Sequence, residues 1–222
     1  MTGLDGIKTM MKSLVIAASF LLLAACGDSS MSGADNAAGS ASGETASSDV
    51  SSSGGNWKII PELSRLTFTT MHAGDTFTGD FKRFSATIQL DPDDLSNAHV
   101  EVIVDMSSVD AKDELRNQSL PGADWFDVSQ FPTAVFKSDS ITKVADGMYQ
   151  AAGQLTVRDV TKDVVLPFTL DIDGDTGRAF GELKLMRKDY NVGIGSQDVE
   201  SDQWVAYEVT VTFDITATRI GS

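Results

Sequence analysis

From Trp57 to Ile220, apolar and polar residues alternate with the period of two that marks strands with one buried face. The pattern is plainest near the end, where Val205, Tyr207, Val209, Val211, Phe213, Ile215 and Ala217 alternate with Glu208, Thr210, Thr212, Asp214 and Thr216. Val100, Val102 and Val104 alternate with His99, Glu101 and Asp105. Further apolar faces run through Tyr149, Ala151, Gly153, Leu155 and Val157, through Val164, Leu166, Phe168, Leu170 and Ile172, and through Ala179, Gly181, Leu183 and Leu185. One strand changes face: Phe77 and Phe81 hold odd positions, whereas Phe84, Ala86, Ile88 and Leu90 hold even ones. A bulge or sharp bend at Lys82-Arg83 reconciles the two halves and helps a sheet curl.

Asp146-Gly147 and Asp173-Gly174 are hairpin signals, and Asp91-Pro92 ends a strand and opens a turn. One stretch breaks the period. Val109 to Leu120, VDAKDELRNQSL, reads as a short helix with Ser107 or Ser108 as its cap, stopping before Pro121-Gly122. A turn-rich connection carrying Trp125, Phe126 and Phe131 follows. The pattern predicts an all-β domain of about eight antiparallel strands with one short helical insertion. Strands apolar along one whole face suit a closed barrel, because closure removes exposed edges.

An eight-stranded barrel has an interior just wide enough for side chains or one small ligand. Small residues at inward positions, Ala86, Ala151, Gly153, Ala179, Gly181 and Ala217, fit either an open apolar tunnel or the taper of a filled core.

Ahead of this domain the composition changes. Residues 27–55, GDSSMSGADNAAGSASGETASSDVSSSGG, contain no Lys or Arg and almost no bulky apolar side chain. Such a segment buries too little surface to offset its ordering entropy and is expected to be a flexible tether. The only cysteine, Cys26, stands at its head. Lys8 and Lys12, then the apolar run Leu14 to Ala25, then small residues before Cys26 follow the order of a secretory signal peptide. The run is shorter than the ~20 residues that span a bilayer. Leu23-Ala24-Ala25-Cys26 resembles the lipobox of bacterial lipoproteins, which implies cleavage before Cys26 and its acylation. Three parts are therefore expected: a leader over residues 1–25, an acylated cysteine and tether over 26–55, and a barrel over 56–222. Gly27 after the cysteine leans the resemblance towards the outer membrane, so the expected location is the periplasmic face of the envelope.

The whole chain has a formal net charge of −15. Residues 1–25 hold Lys8, Lys12 and Asp5 out of 17 basic and 32 acidic side chains, so cleavage leaves 15 basic and 31 acidic, a charge of −16. This balance argues against electrostatic binding of nucleic acid or anionic headgroups.

Several blocks in the domain resemble the YceI family, lipocalin-like barrels that bind polyisoprenoids. In WKIIPELSRLTFTTMHAGDTFTGDFKRF the matching positions are Trp57, Ser64, Phe68, His72, Gly79 and Phe81. In LRNQSLPGADWFDVSQFPTAVFKS they are Leu120, Trp125-Phe126-Asp127, Phe131-Pro132, Ala134 and Phe136. GQLTVRDVTKDVVLPF supplies Gly153, Leu155-Thr156, Thr161 and Pro167-Phe168, and a later motif Arg187, Asp189, Tyr190 and Gly193. Leu63 and Asn117 depart from the family's commoner histidine and aspartate. The form resembles the members associated with cytochrome b561-type membrane proteins.

The resemblance implies non-catalytic binding or transport of an isoprenoid lipid, a quinone or a polyprenyl chain, inside the barrel. Candidate ligand-lining residues are Phe68, Phe77, Phe81, Trp125, Phe126, Phe136, Leu155, Phe168 and Tyr190, with Trp125 and Phe126 placed to cover one end as a lid. Arg187 and Asp189 are expected to pair and fix the final loop, Arg187 also being a candidate headgroup contact. His72 is a candidate donor to a quinone carbonyl or diphosphate oxygen at the mouth, or a satisfied strand-end histidine. With only two histidines and one cysteine, no Cys/His metal set or nucleophile is available, and no GxSxG elbow occurs. No cofactor and no metal are expected. Two alternatives stay open: a filled barrel serving as an interaction module for a membrane redox or envelope protein, and a hydrolase or isomerase that acts through His72 on an apolar substrate.

Overall fold

The computed structural model describes residues 56–194 and 204–221. The expected leader, Cys26 and tether lie outside the described residues. The strands are β1 (Trp57–Ile59), β2 (Arg65–His72), β3 (Asp75–Phe81), β4 (Phe84–Asp91), β5 (Asp94–Asp105), β6 (Val109–Asp110), β7 (Thr133–Ala145), β8 (Met148–Val157), β9 (Val160–Asp173), β10 (Thr176–Met186) and β11 (Glu208–Arg219), with one helix, α1 (Glu114–Ser119).

Eight of these strands pair in a closed antiparallel ring, β1-β4-β5-β7-β8-β9-β10-β11 and back to β1. Closure rests on β1, whose Trp57 lies opposite Ile88 on one side and Arg219 on the other. Beside β1, β2 pairs the preceding part of β11, and β3 and β6 follow it in the sheet. Two sides of the barrel wall are long strands broken in the middle. β1 and β2 are parted by a 3₁₀ turn at Pro61–Leu63, where proline cannot donate to a ladder. Ser64 repairs the gap: its hydroxyl donates to the Ile60 carbonyl at 2.8 Å and accepts from the Thr216 amide at 3.1 Å.

β3 and β4 are parted at Lys82-Arg83, where the change of face predicts a bend. Ser108 holds it, accepting from the Lys82 amide on its carbonyl at 3.1 Å and from the Arg83 amide on its hydroxyl at 3.0 Å. The Asp146-Gly147 and Asp173-Gly174 signals are realised as the β7–β8 and β9–β10 turns, with positive φ at both glycines.

The helix is shorter than the pattern predicts, and its cap is different. Val109 and Asp110 pair with Phe81 and Asp80 as β6, and Asp105 captures the Ser107 amide and hydroxyl at 2.9 and 2.6 Å. Helix α1 starts only after Lys112 turns through φ 56°, with Asp113 as its cap accepting from the Arg116 amide at 3.0 Å.

The β4–β5, β7–β8 and β9–β10 turns share one end of the barrel, and Trp57 floors it. This indole is 3% exposed, donates to the Leu90 carbonyl at 2.8 Å, and lies beneath the Arg219 guanidinium at 4.6 Å. A Cβ at Gly177 would press on its ring at 3.1 Å, so the indole would have to shift for a larger residue on β10. At the opposite end gather the β2–β3 tip, the insertion between β6 and β7, the β8–β9 turn and the β10–β11 connection.

Truncating the floor removes a large buried side chain and the only indole in the closing strand. Trp57→Ala is expected to lower stability by about 3–5 kcal/mol, read as a shift in the urea midpoint. An unchanged midpoint would show that the floor carries no packing.

Candidate ligand-binding cavity

Inward side chains of the ring do not meet in the middle. They enclose a cavity of about 1020 Å³, at the upper end of the range for small-molecule sites. Along β9 every inward residue from Val164 to Ile172 is only half-buried, alternating with exposed outward neighbours. In a filled barrel these positions would be shut off from solvent. Among the described residues, no large side chain is completely inaccessible. The hollow follows from residue size: Ala86, Ala151, Ala179 and Ala217 line it where larger side chains would have crossed the lumen.

Gly153 and Gly181 are small for another reason. A Cβ at Gly153 would strike the Lys137 carbonyl and Ser138 Cα on β7, where the register shifts, and one at Gly181 would strike the Pro167 carbonyl and the Phe213 ring. They permit close approach of strands and do not leave free space.

All eleven residues predicted from the sequence border the cavity: Phe68, His72, Phe77, Phe81, Trp125, Phe126, Phe136, Leu155, Phe168, Arg187 and Tyr190. They fall into two groups. Phe136, Leu155 and Phe168 belong to the middle and lower wall, with Phe168 stacked on Tyr149 at 5.5 Å. Phe68, Phe77, Phe81 and Phe126 form an aromatic cluster under the insertion, with centroid distances of 6.1 Å for Phe68–Phe77, 5.5 Å for Phe68–Phe81 and 6.0 Å for Phe81–Phe126. The polar lining collects at the open end, where Asp113, Arg116, Gln118, Asp124, His72 and Arg187 stand among apolar neighbours.

The Arg187–Asp189 pair expected from the sequence does not form. Arg187 is 5% exposed, and its guanidinium donates to backbone carbonyls: Nε to Ala206 at 3.0 Å, NH1 to Val192 at 3.0 Å and NH2 to Val205 at 2.9 Å. It also lies 5.4 Å from the Trp125 ring. Asp189 turns outward to Lys162 at 3.5 Å. Arg187 thus ties the two arms of the β10–β11 connection together and backs the Trp125 wall. Beside it, burial pushes the Tyr190 phenol up, and Asp189 adds to the shift.

Sequence reasoning passed over three residues that shape the mouth. Arg158 NH1 donates to the carbonyls of Trp125 and Asn191, each at 2.7 Å, and Arg158 pairs with buried Asp127 at 3.8 Å, stitching the insertion to the β8–β9 turn. Arg116 covers Phe77, its guanidinium 4.2 Å from the ring. Trp204 packs edge-on against His72 at 5.4 Å, and its carbonyl accepts from the Ala73 amide at 2.7 Å. No spacing rule announces these partnerships, because each joins residues far apart in the chain.

Residues 57–217 match the YceI-like domain. The chain belongs to that family. It is 34% identical over 146 residues to Protein YceI of Salmonella arizonae and equally to that of Salmonella paratyphi B, spanning 61% of this chain and 76% of each relative. BcnA of Burkholderia cenocepacia superposes with a TM-score of 0.68 at 29% identity, covering 72% of this chain and 99% of that one. A polyisoprenoid binding domain from Saccharophagus degradans, implicated in plant cell wall breakdown, shares the fold with a TM-score of 0.60 at 13% identity, covering 74% of this chain and 98% of that one. Of this chain's two departures from the YceI pattern, Leu63 is exposed on the outer 3₁₀ turn. Asn117 braces the start of α1, where its Oδ1 accepts from the Ala111 amide at 2.7 Å and its Nδ2 donates to Asp110 at 3.3 Å.

Asp110 anchors the insertion electrostatically. The Lys112 ammonium at 2.8 Å, then the Lys112 amide and Asn117, hold its carboxyl well below the usual carboxylate range. Asp110 and Asp80 in turn raise the Lys112 ammonium above its ordinary value. A depressed carboxyl stabilises the fold fully above its unfolded pKa of about 3.9 and stops doing so as pH falls through the folded value. Lowering the pH is therefore expected to leave Asp110 ionised in the folded protein to well below the usual carboxylate range, read from its side-chain carboxyl NMR signal, while the stability it adds declines below about pH 4. Asp110→Asn should remove that acid-dependent part of the stability, and an identical dependence of the urea midpoint on pH in the variant would contradict the assignment.

Proposed function

We propose that this domain binds one isoprenoid-class lipid, a quinone or a polyprenyl chain, within the barrel and carries it without chemical change. The observation that carries the reading is the cavity itself: about 1020 Å³, floored at one end, open at the other, and walled by Phe, Leu, Val, Ile and Ala. Its length suits a chain and its wall offers few groups that a polar molecule needs. Burying several hundred Å² of apolar chain is worth on the order of 10 kcal/mol before ordering costs, which suffices for tight retention. Family membership and the fold shared with a polyisoprenoid binding domain support the same class of ligand.

In this reading Phe136, Leu155 and Phe168 hold the tail. Phe68, Phe77, Phe81, Phe126 and Trp125 hold the segment nearest the mouth, where His72 offers a hydrogen bond to the headgroup. Arg187 and Tyr190 act by fixing the mouth. Acylation at Cys26 would anchor the domain at the periplasmic face of the envelope, with the outer membrane favoured, and a membrane redox protein is a fitting recipient.

Ala179 is a half-buried lining residue between Leu170 and Ile215 on neighbouring strands. Its replacement by Trp would fill the lumen without striking backbone. Retention of a radiolabelled polyprenol by the chain from residue 27 onward is expected to fall about tenfold or more in Ala179→Trp, with cooperative unfolding preserved. Full retention by a folded variant would contradict binding in the lumen.

A further inference from the structure

We infer that the open rim of the barrel is a docking surface for a lipid bilayer, set so that the cavity mouth faces the membrane while the closed end faces water. The inference rests on the ligand reading above, because a membrane-facing mouth matters only for an apolar cargo.

The two ends differ in chemistry. At the closed end the turns carry Asp91, Asp93, Asp94, Asp146, Asp173 and Asp175. Of these six, only Asp146 forms an ion pair among the described residues, with Lys143 at 3.0 Å. An end so acidic is repelled by anionic headgroups and remains hydrated. At the open end, Asp75, Asp110, Asp113, Glu114, Asp124, Asp127, Asp159 and Asp189 are interleaved with Lys112, Arg116, Arg158, Lys162, Arg187 and Lys188, so among the described residues most of the acid at the mouth is offset by cations.

Large apolar side chains stand out around that mouth. Leu115 on α1 is 74% exposed, Trp204 49% and Met71 45%. They are neighbours in space. Met71 and Trp204 bracket the β2–β3 tip, where Ala73 donates to the Trp204 carbonyl and Ala206 to the Met71 carbonyl at 3.0 Å. Helix α1 reaches the same hairpin through Arg116 over Phe77, which lies opposite Thr70. Leu115 and Trp204 also border the cavity, so the exposed apolar surface is continuous with the lumen. A prenyl chain leaving a bilayer through this rim would never cross water. An amphipathic rim of this kind enters the headgroup boundary by apolar burial more than by charge.

Chain connectivity permits the orientation. The domain begins at the closed end with Asn56, and residues 27–55 have a contour of at most about 100 Å. The barrel is at most about 45 Å long, the extended length of β9. An anchor at Cys26 therefore leaves the mouth free to turn onto the same membrane.

The test is flotation of the unacylated chain from residue 27 onward with phosphatidylcholine vesicles, alone or mixed with phosphatidylglycerol. Uptake of a polyprenol from a cyclodextrin complex is measured in parallel. The wild type should float with both vesicle types, with a blue shift of tryptophan emission as Trp204 leaves water. Leu115→Glu and Met71→Glu should each weaken flotation, and together by about tenfold or more. Met71 points away from the lumen, so Met71→Glu should take up polyprenol from cyclodextrin like the wild type. Intact uptake by the wild type without its flotation overturns the docking inference alone and makes a protein partner the occupant of the rim. Flotation unchanged in the double variant also overturns it. Loss of uptake by the wild type itself would instead overturn the ligand reading.

Discussion

A three-residue strand, Trp57–Ile59, closes the ring by pairing β11 on one side and meeting β4 on the other. Without it β4 and the last residues of β11 would lose their partner, and the lumen would open at the floored end. The same residues also make the floor, because Trp57 turns its indole across the end of the cylinder and bonds to Leu90. Closure and flooring are thus one local event, and the shape of the cavity depends on it. The Ser64 repair of the strand break and the Ser108 clamp on the β3–β4 bend let two strands change direction while the ring stays closed.

The two ends of the cylinder obey different rules. At the closed end, Gly147 and Gly174 supply the left-handed turns without strain. At the open end Gly74 and Gly193 do the same, but Ala73, Lys112, Asp127, Arg158 and Asn191 also take positive φ while carrying a Cβ. That geometry costs roughly 1–2 kcal/mol at each. Arg158 and Arg187 compensate by donating to backbone carbonyls, and Asp127 pairs with Arg158, which holds the mouth in one shape. Backbone strain of this kind collects where a protein binds.

Much of this was legible in the residues because strand periodicity is local. Each apolar face from Val100 to Ala217 could be read from a few neighbours, and even the bend at Lys82-Arg83 showed as a change of parity between Phe81 and Phe84. The start of the helix was less legible because two aspartates compete to cap it. Asp105 claims Ser107, and Asp113 becomes the cap. The fate of Arg187 was hidden for a different reason: its acceptors at Val205 and Ala206 lie 18 and 19 residues away, beyond any local pattern. Small residues were the most ambiguous signal. Ala179 and Gly181 look alike in sequence, yet one borders open space and the other a neighbouring carbonyl. Whether the barrel is hollow depends on ring size and on every inward side chain together, and no short window contains that information.

Occupancy of the lumen by lipid in the living cell is the central claim. Native mass spectrometry of the chain from residue 27 onward, produced in a bacterial periplasm and purified without detergent, tests it most directly when paired with lipid extraction. A one-to-one adduct that extracts as an isoprenoid is the expected result. A bare protein mass that stays unchanged after incubation with quinones and polyprenols would contradict it.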